Sequence, residues 1–138
     1  MKNLVLKKYK ILDHPADLKI KAYGKNLEEL FNNILLAMAE AMEPVSISEE
    51  ISRGVDIKSR NLESLLIDFL SDVIYETDLN NAVFKKLEVS KLTDQELEGK
   101  ISGPKIKNFK TEIKAVTWHD LEIKKINSLW QATVVFDI

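Results

Sequence analysis

Cysteine is absent from this 138-residue chain, so disulfides, thiol catalysis and cysteine-ligated zinc or iron–sulfur sites are excluded. Glycine and proline are scarce, with 4 and 3 residues, while hydrophobic residues make up 45% of the sequence. This composition is typical of a globular chain rather than a disordered one. No apolar run is long enough for a signal peptide or a membrane span. We therefore expect one domain, residues 1–138, in a cytoplasmic protein without membrane contact.

Neither sign of charge dominates, because 20 basic and 22 acidic residues give a net charge of -2. Such a balance argues against a surface coated by nucleic acid, although a local basic patch stays compatible with it. The phosphate-binding loop, the glycine-rich dinucleotide motif and the nucleophile elbow are also missing. The sequence therefore predicts no nucleotide cofactor, and none of these motifs supplies a catalytic residue.

Two stretches have helical periodicity, and both begin with Asn-Leu-Glu, at Asn26 and at Asn61. Asparagine is a favourable N-cap because its side chain accepts a hydrogen bond from a free N–H group of the first turn. Pro44 ends the first helix, and Asn80-Asn81 follows the second. The rest of the chain predicts short strands at residues 9–12, 18–23, 47–57, 82–92, 96–102, 112–118, 121–126 and 130–138, with turn signals at 93–95, 103–104 and 127–128.

Two amphipathic helices among so many short strands cannot form a doubly wound parallel sheet. They predict an α+β fold, a two-layer sandwich in which both helices cover one face of a mainly antiparallel, mixed sheet. The similar helix starts are consistent with an internal duplication of a strand–helix–strand unit. Shared capping chemistry alone could also produce the likeness.

The densest polar cluster is residues 13–17, Asp-His-Pro-Ala-Asp, between two predicted strands. One interpretation is a tight turn in which the aspartates accept hydrogen bonds from backbone N–H groups. The other is a metal or acid–base site, since histidine with carboxylates can bind zinc or iron. His119, the only other histidine, lies at another predicted strand-to-turn junction. The positions of the two histidines in the sequence do not decide between the two interpretations.

The last residues raise a related question, because Asp137 and the carboxylate of Ile138 follow an otherwise apolar strand. If this strand runs beside the one that includes Leu18, both groups approach Asp17. Carboxylates that converge repel one another unless protons or a cation lie between them. Their hard oxygen atoms favour calcium, magnesium or manganese over zinc.

These motifs, in this order, resemble the signature of the archease family. The quoted stretches are residues 13–17, the Ala-Tyr-Gly of 22–24, the Leu-Glu-Glu-Leu-Phe of 27–31, residues 62–66, residues 114–120 and the Phe-Asp-Ile of 136–138. The likeness spans essentially the whole chain. Pro15 stands where the family usually has threonine, and Trp118 stands where tyrosine is common.

The resemblance implies an accessory protein of the RtcB-type tRNA-splicing RNA ligase, which joins RNA ends with GTP and divalent metal through a guanylylated histidine. Such a protein helps the ligase become guanylylated and turn over repeatedly; it is not an enzyme, and it need not bind RNA directly. The resemblance also implies a divalent-cation pocket at Asp17, Asp137 and Ile138, with calcium expected first and manganese or magnesium as alternatives. Asp13, Lys114 and His119 fall in family motifs without an assigned role.

Two other functions fit the residues. One is a metal-dependent phosphohydrolase or nuclease that acts alone and uses Asp13, His14, Asp17 and His119. The other is a general chaperone that binds exposed apolar segments of other proteins. Stimulation of a ligase, release of phosphate by the protein alone and suppression of aggregation distinguish the three.

Overall fold

The computed structural model describes residues 7–12 and 16–138. In these two ranges the chain forms two helices and seven strands: β1 (Tyr9–Leu12), β2 (Asp17–Gly24), α1 (Leu27–Ala41), β3 (Val45–Lys58), α2 (Leu62–Asn80), β4 (Lys86–Leu92), β5 (Glu96–Asn108), β6 (Ala115–Ile126) and β7 (Leu129–Asp137). Neither helix is long and apolar enough to cross a membrane.

The strands form two sheets, a four-stranded one in the order β1-β2-β7-β6 and a three-stranded one in the order β3-β5-β4. The expected α+β class with two helices is confirmed. Our expectation of a single, partly mixed sheet was wrong, because the strands divide between two sheets and every pairing in the described ranges is antiparallel. Alternation along one strand predicts which face is buried and not which strand lies beside it, so the division could not be read from the pattern.

Both helices begin where their asparagines predict. The side chain of Asn26 accepts a hydrogen bond from the Glu29 amide at 2.8 Å, and Asn61 accepts one from the Ser64 amide at 2.8 Å. Each asparagine has an extended backbone, as N-cap residues do. At the other end of α2, Asn81 adopts the left-handed conformation with a φ of 49°, a common way to end a helix.

The core lies where the helices pack on the sheets. α1 contacts β1, β2 and β7 of the first sheet and β4 of the second, while α2 contacts β6 of the first sheet and β3 and β5 of the second. The rings of Phe31 and Phe69 stack between the helices, with centroids 5.7 Å apart. Because each helix touches both sheets, the helical layer holds the two sheets together.

The strand boundaries correct two predicted turns. β5 continues through Gly103 and Pro104. Pro104 lies beyond Ser102, the last residue paired with β4, and beside an irregularity of the β3–β5 pairing, where a strand tolerates a residue without an N–H group. Gly103 lies against the Val83 carbonyl, where a Cβ atom would be 1.9 Å from the oxygen. The junction predicted between 118 and 121 lies within one strand, β6, whose register shifts between Thr117 and Glu122. Both signals mark close packing or a bulge rather than a turn.

The duplication is only partly visible in the structure. The strand, asparagine cap and helix recur as β2–α1 and β3–α2. β3 and β4, the strands flanking α2, belong to one sheet, whereas β2 and β3, the strands flanking α1, belong to different sheets. The similarity that the structure retains is therefore limited to the strand, the cap and the helix.

Candidate cation site

β2 and β7 are neighbours whose alternating residues face opposite sides of the sheet. Leu18 opposite Phe136 and Ile20 opposite Val134 are buried against the helical layer. The positions between them therefore face the other side of the four-stranded sheet, here called the outer face. Asp17, half-buried, and Asp137, exposed, both belong to that outer face.

Asp17 and Asp137 are direct cross-strand partners at the end of the β2–β7 ladder. Directly opposed residues in an antiparallel pair have Cβ atoms about 4.5–5.5 Å apart, so the two aspartate side chains are neighbours on one face of the sheet. On the other side of β7, Ala115 is the partner of Asp137, and the Lys114 amide donates to the Asp137 carbonyl at 2.8 Å. Three strands thus hold Asp137 in place.

The donors present at this end suit a hard cation. Two carboxylates supply up to four oxygen atoms, and the backbone oxygen of the adjacent Ile138 is a further donor of the same kind. The Ile138 side chain is 43% exposed and offers no donor of its own. Calcium takes six to eight oxygen ligands at about 2.3–2.6 Å, so these groups provide part of a coordination shell.

Some predicted residues are not brought to this site. Across residues 7–12 and 16–138, no three side chains of histidine, aspartate or glutamate converge in a metal-binding group. Asp13 and His14 lie outside the described residues. The backbone amide of Lys114 reaches the site by donating to the Asp137 carbonyl, whereas the Lys114 side chain is exposed.

His119 lies in the bulge of β6, four residues beyond Ala115. Its Nε2 atom is 3.5 Å from the Asp120 Oδ2 atom, and the side chain is largely exposed. Four strand residues correspond to about 13 Å, so His119 is not a neighbour of Asp137 along the strand. A metal site that combines His119 with Asp17 gains no support from this arrangement.

Sequence reasoning missed the partnership between Lys19 and Asp120. The Lys19 Nζ atom is 3.5 Å from the same Asp120 Oδ2 atom that faces His119. Asp120 has a φ of 53°, which few residues other than glycine, asparagine and aspartate adopt readily. The signal available in the sequence was an aspartate in the middle of a strand, which is a typical bulge position rather than a turn.

The model of the Archease protein family (MTH1598/TM1083) matches residues 9–138. The chain is 40% identical to Protein archease of Methanosarcina mazei over 96% of this chain and 97% of that relative. It is 32% identical to Protein archease of Pyrococcus abyssi over 96% of this chain and 100% of that relative.

Two solved structures are similar as well. One is the solution structure of Methanobacterium thermoautotrophicum protein 1598, with a TM-score of 0.73 and 32% identity over 96% of this chain and 100% of that one. The other is the crystal structure of an archease, described as a possible chaperone (TM1083), from Thermotoga maritima, with a TM-score of 0.68 and 25% identity over 99% of this chain and 100% of that one.

Proposed function

This chain belongs to the archease family, and on that premise we propose that it activates an RNA ligase of the RtcB type without being an enzyme itself. The observation that supports the proposal is the opposed pair of Asp17 and Asp137 at one end of the β2–β7 ladder. These are the residues at which the family resemblance implies a divalent-cation pocket. Ligase activation would proceed through this acidic end of the sheet.

In this proposal the strands of the protein position the groups that bind the cation. The β2–β7 pairing sets the two carboxylates side by side, and the amide of Lys114 fixes the backbone of Asp137. Asp17, Asp137 and the Ile138 backbone oxygen would hold calcium, or manganese or magnesium in its place. When bound, the cation supplies positive charge that can neutralise phosphate oxygens. The protein would meet the ligase with this end of the outer face.

The test adds the purified protein at a substoichiometric ratio to its cognate ligase with GTP and divalent metal. We expect repeated ligase guanylylation and multiple rounds of RNA joining. Asp137→Asn should lose most of the stimulation, because it removes one anionic ligand while keeping the shape of the side chain. The matched control is Asp78→Asn, on the exposed surface of α2, which should stimulate as the wild type does.

Three results would contradict the proposal. Full stimulation by Asp137→Asn would remove the acidic pair from the function. Release of phosphate by the protein alone, lost on replacing His119, would favour a phosphohydrolase. Suppression of the aggregation of unrelated proteins, with no effect on the ligase, would favour a general chaperone, the role that the description of the Thermotoga maritima structure names.

A further inference from the structure

Four lysines lie on the outer face of β1 and β2, beyond the acidic end. Lys10 and Lys21 are direct cross-strand partners, and Lys19 precedes Lys21 by two residues on the same face. Lys8 lies just before β1, where its carbonyl accepts a hydrogen bond from the Tyr23 amide at 2.9 Å. These four residues are here called the lysine row. Tyr9, the residue between Lys8 and Lys10, faces the opposite side and donates a hydrogen bond to Glu40 of α1.

Much of this positive charge is not neutralised within the protein. Lys19 has Asp120 as its ion-pair partner, whereas Lys8, Lys10 and Lys21 form no salt bridge with a carboxylate of residues 7–12 and 16–138. Like charges directly opposite each other destabilise a sheet, so the Lys10–Lys21 pair has a cost. The chain as a whole has a net charge of -2, so its overall composition does not explain the row.

The surface beside the row has the shape of a binding cleft. A cleft of about 430 Å³ lies beside the row. Its lining residues are Leu12, Lys19, Lys21, Asp120, Leu121, Glu122 and Thr133, so two lysines and two carboxylates share it. Tyr23 is half-buried on the same face, two residues beyond Lys21. Proteins that bind single-stranded nucleic acid combine positive charge along the backbone with aromatic side chains for the bases. Lys8, Lys10 and Lys21, which lie beside Tyr23 on the same face, provide both.

We propose that the lysine row binds the phosphate backbone of single-stranded RNA, with Tyr23 as a stacking partner for one base. Protein–protein interfaces are depleted in lysine, whereas nucleic-acid interfaces are strongly positive, so an RNA strand fits this face better than an acidic protein does. Lysine contacts phosphate as a point charge and requires no fixed geometry. The proposal goes beyond ligase activation, which requires no RNA contact by this chain, and its RNA-binding measurement needs no ligase.

The experiment measures binding of a short fluorescein-labelled oligouridylate to the purified protein by fluorescence anisotropy across a salt series. Four phosphate contacts predict a slope of log K against log salt near -2.8, so affinity falls about 50-fold between roughly 50 and 200 mM salt. In Lys10→Gln/Lys21→Gln we expect a slope near -1.4 and a decrease of only about sevenfold over the same range, with weaker binding throughout. Tyr23→Leu should weaken binding at least about fivefold without changing the slope.

The matched control is Lys25→Gln/Lys107→Gln, which removes the same charge from exposed positions in the β2–α1 connection and on β5. It should retain the wild-type slope. Equal losses in the two double variants would show a general effect of net charge and would overturn the proposal. Wild-type RNA affinity in Lys10→Gln/Lys21→Gln would also overturn it, and a loss of ligase association in that variant would then assign the face to a protein partner. An unchanged affinity in Tyr23→Leu would contradict the assignment to a single strand.

Discussion

Asp17 and Asp137 lie directly opposite each other on neighbouring antiparallel strands, and both face away from the helical layer. Opposed like charges on one sheet face repel each other. A cation bound between them would convert this repulsion into attraction, so ion binding at this pair would be linked to the stability of the fold. The same geometry therefore leads to a prediction that requires no ligase assay.

Calcium or manganese should raise the melting temperature of the wild-type protein, and Asp137→Asn should lose most of that increase. At a concentration 100 times the dissociation constant, a ligand of the folded state adds about 2.7 kcal/mol, which corresponds to roughly 8–12 °C for a chain of this size. Without metal, the variant should melt no lower than the wild type, because one member of the opposed pair has lost its charge. Calorimetric melting with chelator and with added metal measures both effects. An equal metal-induced increase in the variant would exclude Asp137 as a ligand.

Gly103 and Gly54 lie in the same sheet and provide a matched pair of substitutions. A Cβ atom at Gly103 would lie 1.9 Å from the Val83 carbonyl oxygen, whereas one at Gly54 would meet no atom within 4 Å. Gly103→Ala should destabilise the protein by at least about 1–3 kcal/mol, the usual cost of overpacking. Gly54→Ala should be neutral or stabilising by up to about 1 kcal/mol, because alanine restricts the unfolded chain. Urea unfolding of both variants measures the difference, and equal stabilities would contradict the close approach.

Local chemistry made parts of the fold predictable from the sequence. Asn26 and Asn61 each accept a hydrogen bond from the amide three residues later in the chain. The alternation in β2 reflects the burial of one face of the strand under the layer of helices. Such signals are contained within a few neighbouring residues. The sequence also indicated that the strand ending at Asp137 could meet Asp17, and the register has that pairing.

Other features depend on residues far apart in the chain and could not be predicted in this way. Position 103 excludes a Cβ atom because the Val83 carbonyl packs on it, and no pattern near Gly103 contains that information. Asp120 lies in a bulge that exists only because β7 pairs with β6 on both sides of it. The division into two sheets likewise depends on which strands become partners.

The N-caps of α1 and α2 should contribute equally to the free energy of unfolding if the shared Asn-Leu-Glu start has one physical role. Asn26→Ala and Asn61→Ala should each lower the free energy of unfolding by about 1 kcal/mol, because each leaves an amide of the first turn without its acceptor. Glycine at either position should cost only a few tenths of a kcal/mol, so Asn26→Gly and Asn61→Gly are the controls. Denaturant unfolding gives all four values. A large effect at one cap and none at the other would show that tertiary packing, rather than capping, holds that helix start.

Asp72 on α2 should make the stability of the protein depend on pH. Burial, and secondarily the negative charge of Glu76, raise the pKa of the Asp72 carboxyl above its ordinary value of 3.8. The folded state therefore binds this proton more tightly than the unfolded state, and the free energy of unfolding falls as the pH rises from 3.8 through the raised pKa. Asp72→Asn removes the ionisation, so it should be more stable than the wild type near neutral pH.

The advantage of Asp72→Asn should shrink as the pH falls and should vanish below 3.8, where the wild-type carboxyl is protonated in both states. Thermal melting across the acidic range measures the difference. Asp78→Asn, on the exposed side of the same helix, is the control, because it changes the same charge without the burial. A constant difference between Asp72→Asn and the wild type at every pH would mean that the substitution acts through helix propensity or packing. It would then not act through the raised pKa of the Asp72 carboxyl.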